Sequence, residues 1–207
     1  GSVISSKTSS ALTVKGISTI KDIALLRVQG VGMVGITGIS RRLFGSLARA
    51  KINIILISQA SSEHSICFVI KLEESKKAKK AIDEEFELEI EAKKINEVII
   101  EKDLSIIAII GENMRHKPGV SGKMFQALGQ NGINVVAIAQ GSSELNISAV
   151  ILNKDTAKAI NALHDSFFLS GTKSLNLFII GATGLIGSTL IKQIEKEKDR
   201  IRKDQKL

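Results

Sequence analysis

Apolar residues along this chain fall into short runs separated by stretches with helical spacing. The run 23–28 is almost wholly apolar and ends at a glutamine and a glycine, which predicts a buried strand. The loop 30–38 is too rich in glycine for regular structure. Apolar residues at 43–50 then recur at helical spacing, and Ser40, or Gly38 in its place, is expected to cap that helix.

The pattern continues with two more apolar runs, 52–59 and 66–72, which predict two further strands. A charged stretch with helical spacing follows near 73–86, and another apolar run lies near 95–100. The predicted order is therefore βαββαβ. This order gives an antiparallel four-stranded sheet with both helices on one face, the ferredoxin-like arrangement of the α+β class.

The same pattern occurs twice. The segment 52–63, which contains Q-A-S-S-E, returns as 133–144 with Q-G-S-S-E, and the two glutamines are 81 positions apart (140 − 59). One ungapped offset also matches the pairs Gly30/Gly111, Met33/Met114, Gly38/Gly119, Ser40/Ser121, Phe44/Phe125, Leu47/Leu128 and Val69/Val150. Chance apolar matches do not hold one register over such a length, so the chain contains a duplicated unit.

The second unit begins at Leu104 and has Pro118 and Gly119 just before its first helix, where proline is favoured. Its second helix is predicted near 155–167, and no clear fourth strand follows. The short apolar stretch Ala11–Val14, upstream of the first unit, fills that gap if the first unit is inserted into the second. We take this insertion as a hypothesis about the topology.

The glycine-rich loops lie between a strand end and a helix N-terminus, where unpaired backbone N–H groups favour an anion. A carboxylate fits there as well as a phosphate, and the P-loop spacing GxxxxGK[ST] is absent. A glutamine at the end of the adjacent strand offers a donor and an acceptor, which suits a ligand hydroxyl. The alternative is that the glutamines cap strand ends and the glycines make turns. The candidate effector-binding residues are Gln59, Gln140, Gly30, Met33, Gly35, Asn53, Gly111, Met114 and Asn134.

Composition and charge exclude several other classes. The net charge of +8 comes from lysines interleaved with acids, and the chain has no Trp or Tyr, so nucleic-acid binding is not favoured. No apolar stretch of about 18 residues occurs, so we expect no membrane span and a cytoplasmic location. His64, His116 and His164 lack metal-ligand spacing, and Cys67 in its apolar run is expected to be an inert thiol. No catalytic residues are assigned, and no metal.

The C-terminal part differs from both units. An apolar run at 176–180 predicts a buried strand, a G-x-x-G-x-x-G turn follows, and a helix is predicted from Ser188 to about Lys203. This order is typical of the opening of a dinucleotide-binding domain, the truncated β-α stub of a Rossmann fold, with Gly181, Gly184 and Gly187 as candidate cofactor contacts. The second strand and its acidic residue are missing, so the fragment itself is expected to hold no cofactor.

Four segments together resemble a known family. The stretches 14–18, 29–33, 57–63 and 138–144 resemble the ACT regulatory region of aspartokinases, and the glycine turn after them resembles the start of the homoserine dehydrogenase part of the bifunctional aspartokinase/homoserine dehydrogenase family. The resemblance implies tandem ACT domains that bind threonine for feedback inhibition in amino-acid biosynthesis. It also implies Gln59 and Gln140 as effector-binding residues.

The resemblance further implies a domain plan: residues 1–20 give a strand to the second ACT unit, 21–102 form the first ACT domain, 103–170 the second, and 171–207 begin the NAD(P)-binding domain. It implies a homodimer through the ACT sheets, no enzyme activity in this fragment, and a parent with aspartate kinase and NADP-dependent homoserine dehydrogenase activities. A kinase's lysine-bearing glycine motif is absent here, and Ala182 lengthens the glycine turn. A structural dimerisation module without its own ligand remains the alternative.

Overall fold

The computed structural model describes residues 12–59, 65–141, 145–169 and 178–205. The chain divides into two compact units, Gly1–Leu163 and His164–Leu207. The strands are β1 (Gly16–Gln29), β2 (Leu56–Gln59), β3 (Ser65–Lys71), β4 (Ile99–Ile110), β5 (Ala137–Gln140) and β6 (Asn146–Leu152). The helices are α1 (Ile39–Arg49), α2 (Ser75–Glu85), α3 (Glu87–Glu91), α4 (Val120–Gln130), α5 (Thr156–Phe168) and α6 (Leu185–Gln205).

The six strands form one antiparallel sheet in the order β2-β3-β1-β4-β6-β5, with the two long strands at its centre. Both long strands bend at the same place in the repeat. Asp22 and Asp103 each have a φ of 56°, and the register between β1 and β4 shifts between Ile20 and Leu25. Aspartate tolerates this left-handed conformation better than most residues, which explains an Asp at both bends. Each long strand is thereby divided into two segments.

The two segments of each long strand serve different repeats. Gly16–Ile20 of β1 pairs with Ile106–Ile110 of the second repeat, whereas the end of β1 pairs with β3 and with the first residues of β4. The upstream segment 16–20 therefore completes the sheet of the second repeat, whereas the first repeat supplies all four strands of its own sheet. The strand predicted at Ala11–Val14 lies instead at 16–20, where β1 begins. Ala11 itself is outside the described residues. The predicted domain boundaries stay predictions.

The sheet has two apolar faces. The helix-covered face of the first repeat packs α1 and α2 against alternate strand residues, among them Leu26, Phe68, Leu43, Leu47 and Ile82, all 0% exposed. On the opposite face a second cluster joins the two repeats: Ile23, Leu25, Leu56 and Val69 pack with Leu104, Ile106 and Val150. Full burial of such aliphatic side chains stabilises the fold by about 1.5–3 kcal/mol each, so this cluster binds the repeats into one folding unit.

The charged helix predicted near 73–86 is α2, which runs from Ser75 to Glu85. Phe86 leaves helical geometry (φ −113°, ψ 21°), and the short α3, which was not predicted, follows. Phe86 lies in the core at 0% exposure, four residues after the buried Ile82 and therefore on the same face of the chain. In the second repeat α5 runs from Thr156 to Phe168, close to the predicted 155–167.

The C-terminal unit corrects one prediction. Within the described part of the predicted strand, residues 178–180 form no strand, and Phe178 and Ile180 are 91% and 88% exposed; residues 176–177 lie outside the described part. An apolar run becomes a buried strand only when neighbouring strands satisfy its backbone, and no described strand pairs with it. Helix α6 is present and begins at Leu185, three residues before the predicted start.

Candidate functional site

A pocket opens in the first repeat between the N-terminus of α1 and the end of β2. Its volume is about 290 Å³, and it is lined by Met33, Gly35, Ile36, Thr37, Gly38, Ile39, Ser40, Gln59 and Ile66. Gln59 is the last residue of β2 and pairs with Ile66 of β3, which places its side chain on the helix-covered face of the sheet. Met33 and Ile66 are 4% and 1% exposed and form the apolar floor.

The second repeat holds a matching pocket of about 320 Å³. It is lined by Met114, His116, Lys117, Pro118, Gly119, Val120, Ser121, Gln140 and Ile147. Every one of these residues stands 81 positions after a lining residue of the first pocket. The duplication therefore preserves a whole pocket and not only two glutamines.

The N-termini of α1 and α4 present backbone donors to these pockets. Gly38 and Gly119 are the N-cap residues, with φ angles of 91° and 88°, and neither helix has a side-chain cap in the described structure. The first intrahelical bonds are those from Arg42 N to Gly38 O and from Lys123 N to Gly119 O, so the preceding amides of each helix are left for a ligand. Of the two expected caps of α1, Gly38 is the N-cap residue and Ser40 lies in the first turn; glycine adopts the left-handed conformation there without strain.

Each glutamine stands opposite a serine in the first turn of the helix. In the second pocket the Ser121 hydroxyl donates to Gln140 Oε1 at 3.3 Å, which leaves the Gln140 amide N–H groups for other partners. Ser40 and Gln59 are the corresponding pair in the first pocket. A ligand between the helix terminus and the strand end therefore meets backbone donors on one side and a carboxamide on the other.

The remaining predicted effector residues fall into two groups. Met33, Gly35 and Met114 line the pockets. Gly30 and Gly111 lie outside both linings and have a packing role: a Cβ on either would stand 2.2 Å from the carbonyl oxygen of Lys94 or Thr13.

Asn53 and Asn134 are exposed and also lie outside the linings. The effector roles of these four residues stay predictions. The motif residues 60–64 and 142–144, including His64, are outside the described part of the chain.

Sequence reasoning missed the loop residues immediately before each helix. Ile36, Thr37, Lys117 and Pro118 all line the pockets. The signal was present, because a helix that begins at a glycine cap brings the preceding residues to the same place as its own first turn. These positions also distinguish the pockets: the first has Gly35 and Ile36 where the second has His116 and Lys117.

The described His, Cys, Asp and Glu side chains do not form a metal site. Within the described residues no cluster of three His, Cys, Asp or Glu side chains can hold a metal ion. Burial raises the pKa of the Cys67 thiol, against the opposing effect of nearby Arg27, so the thiol is less reactive than a free one. No described helix is both long and apolar enough to cross a membrane.

The glycine turn before α6 adopts a compact conformation. Gly181 has a φ of 80°, Gly184 N donates to Gly181 O at 3.1 Å, and a Cβ on Gly187 would stand 2.2 Å from that same oxygen. A dinucleotide site needs such a turn between paired strands and a helix. Because residues 178–180 form no strand, the described residues do not complete this site, and its assignment to a dinucleotide-binding domain stays a prediction.

The ACT domain family matches residues 26–86 and 107–167, one match for each repeat. The two matches cover more than half of the chain, which therefore belongs to the ACT domain family.

Relatives extend this assignment. The chain is 40% identical over 194 residues to a chloroplastic bifunctional aspartokinase/homoserine dehydrogenase from Daucus carota, covering 94% of this chain and 21% of the relative. It is 37% identical over 204 residues to the bifunctional enzyme of Haemophilus influenzae, covering 98% of this chain and 25% of the relative. Among solved structures, the regulatory subunit of aspartate kinase from Thermus flavus has a TM-score of 0.64 and 26% identity, covering 74% of this chain and 98% of that one. The chain thus spans a quarter or less of these bifunctional relatives and nearly all of a regulatory subunit.

Proposed function

We propose that this chain is an allosteric amino-acid sensor whose two pockets each bind threonine. The observation that carries the proposal is the pairing, in both repeats, of an uncapped helix N-terminus with a glutamine at the end of the facing edge strand. Helix amides favour the ligand carboxylate, and a carboxamide pairs with a hydroxyl. The similarity to a regulatory subunit of aspartate kinase supports the same assignment.

Threonine suits both the size and the polarity of these pockets. Its carboxylate lies at the first turn of α1 or α4, its hydroxyl against Gln59 or Gln140, and its methyl group on the floor formed by Ile66 or Ile147. Serine lacks only that methyl group, and losing the apolar contact costs about 0.8 kcal/mol, or a few-fold in affinity. Lysine and methionine have no side-chain hydroxyl for the glutamine to pair with, and a site built to pair a hydroxyl discriminates strongly against ligands that lack it.

The sensor belongs, in this proposal, to a longer bifunctional aspartokinase/homoserine dehydrogenase in which threonine inhibits its own biosynthesis. The kinase and the NADP-dependent dehydrogenase activities are then properties of other segments of that parent, and this segment catalyses nothing itself. The cytoplasmic location and the NADP requirement of the parent stay predictions, and the Daucus carota relative is named as chloroplastic.

Isothermal titration calorimetry of the 207-residue chain with threonine, serine, methionine and lysine tests the proposal. We expect saturable heat with threonine, weaker binding of serine, and none with the two longer amino acids. Absence of heat with all four at millimolar concentration, with the dimer present, would contradict the sensor assignment.

A dimerisation module is the second candidate, and the edge strands favour it. β2 and β5 are the outer strands of the sheet, and each exposes one isoleucine, Ile57 at 47% and Ile138 at 45%. These two strands lie near each other within the chain, but neither has a hydrogen-bonded neighbour on its outer side among the described residues, and such edges with apolar side chains are templates for pairing with a second copy. Sedimentation of Ile57→Lys and Ile138→Lys variants tests it: dissociation of a wild-type dimer supports an interface at these edges, and an unchanged dimer places the interface elsewhere.

A further inference from the structure

We propose that ligand binding in the second pocket is transmitted to the segment 12–15 through side-chain contacts that the first repeat lacks. This segment leads into the strand that β1 gives to the second sheet. The inference rests on the proposed function of the pockets, because it names where the signal of one of them goes.

Three side chains of the loop 111–117 hold the segment. Lys117 Nζ donates to Thr13 Oγ1 at 2.6 Å, Asn113 Nδ2 donates to the Leu12 carbonyl oxygen at 3.1 Å, and Glu112 pairs with Lys15 at 3.0 Å. Lys117 is also a lining residue of the second pocket. The side chain of Lys117 therefore lines the second pocket and also contacts the segment 12–15.

The backbone around these contacts fits closely, so a shift of the loop must move the segment. Val14 is 2% exposed, Lys15 N donates to Ile110 O at 2.7 Å, and Gly111 packs so tightly that a Cβ would meet Thr13 O at 2.2 Å. Close packing of this kind transmits displacement instead of absorbing it. Because the loop 111–117 and the segment 12–15 are coupled, a ligand that favours one conformation of the loop also favours one position of the segment.

The first repeat cannot make the same side-chain contacts. At the positions of Glu112, Asn113 and Lys117 it has Val31, Gly32 and Ile36. Its loop reaches the corresponding segment through a backbone bond, from Gly32 N to Lys94 O at 2.8 Å. The two pockets therefore share a ligand-binding geometry and differ in how they are connected to the rest of the chain.

Backbone amide exchange, measured by NMR with and without saturating threonine, tests the inference on the 207-residue chain. We expect threonine to slow exchange of the Lys15 amide by about fivefold or more, the lower end of typical coupling between sites. A double variant, Thr13→Val with Glu112→Val, removes two of the three contacts and changes no lining residue. We expect it to bind threonine as the wild type does and to lose most of the change at Lys15.

The matched control is Thr19→Val with Glu73→Val, which makes the same substitutions away from the loop; Glu73 is 77% exposed, as Glu112 is 78%. It should keep the full response at Lys15. If threonine binds to the wild type but leaves the exchange rate of the Lys15 amide unchanged, the inference is overturned and the sensor assignment stands. The same conclusion follows if the double variant shows the full change in that exchange rate. Absence of threonine binding by calorimetry overturns both.

Discussion

At the scale of single residues, comparison of the two repeats reveals a position where one copy has a strained residue and the other has a glycine. Lys51 follows α1 with a φ of 55°, and its counterpart Gly132 follows α4 with a φ of 64°. Both helices end in the same way, with Ile52 N bonded to Leu47 O and Ile133 N bonded to Leu128 O, each at 3.0 Å. The residue that follows each helix adopts the left-handed backbone conformation, which favours glycine at this position.

Lys51→Gly is therefore expected to raise the free energy of unfolding by about 1 kcal/mol, because the left-handed conformation strains a residue that has a Cβ. The reverse change at the matched position, Gly132→Lys, should lower it by a similar amount. Urea denaturation at neutral pH measures both. A lower stability of Lys51→Gly would contradict this account of the helix end.

At the scale of elements, α1 is held to α2 and α3 by charge as well as by packing. Arg42 donates to Glu85 and Glu89, and its guanidinium lies 4.6 Å from the centre of the Phe86 ring. These hydrogen bonds hold the pKa of both carboxyl groups below their ordinary value, and the same contacts, from Glu89 above all, raise the pKa of Arg42. Arg49 adds a second partner for Glu85.

This cluster should make the fold sensitive to acid. A carboxyl group with a lowered pKa in the folded state contributes stability above its unfolded pKa, near 4.5, and that contribution is lost as pH falls through the folded value. We expect Arg42→Met to lose stability at pH 7 and to show a smaller further loss on acidification than the wild type. Arg41→Met, a change at the exposed neighbouring arginine, is the control and should leave the pH profile unchanged. Urea midpoints at pH 7 and at about pH 3.5 give the comparison; equal acid sensitivity in both variants would rule the cluster out as its cause.

The sequence predicts most of these elements and part of the lining of the pockets. An offset of 81 aligned Gln59 with Gln140 and Gly38 with Gly119, and all four line the pockets. It did not reveal the break at Phe86, because a buried aromatic at a helix end has the same spacing as one inside a helix. It also did not reveal the contact of Lys117 with Thr13, because that contact joins residues more than 100 positions apart.

At the scale of the whole molecule, the continuity of β1 and β4 through both sheets predicts how the chain unfolds. Each long strand contributes to both four-stranded sheets, and the cluster on the shared face contains residues of both repeats. Neither repeat can lose its sheet without exposing apolar surface of the other. Residues 13–163 are therefore expected to unfold in one cooperative transition.

Val69 and Val150 test this cooperativity, since they are matched residues of the shared cluster and both are 0% exposed. We expect Val69→Ala and Val150→Ala each to lower the stability of both repeats by about 2 kcal/mol, from lost burial and the cavity left behind. Amide exchange under increasing urea, followed in β3 and in β6, measures each repeat separately. Different unfolding free energies for the two strands within one variant would contradict a single transition.

The number of threonine molecules bound per chain tests most directly whether the two repeats hold two equivalent ligand sites. Calorimetry should give two for the wild type and one for each of Gln59→Ala and Gln140→Ala, because in the proposed sensor each glutamine is the partner of the ligand hydroxyl in its own pocket. Gln130→Ala, at the exposed end of α4, should still give two. Unchanged stoichiometry and affinity in both pocket variants would show that threonine, if it binds, does so elsewhere.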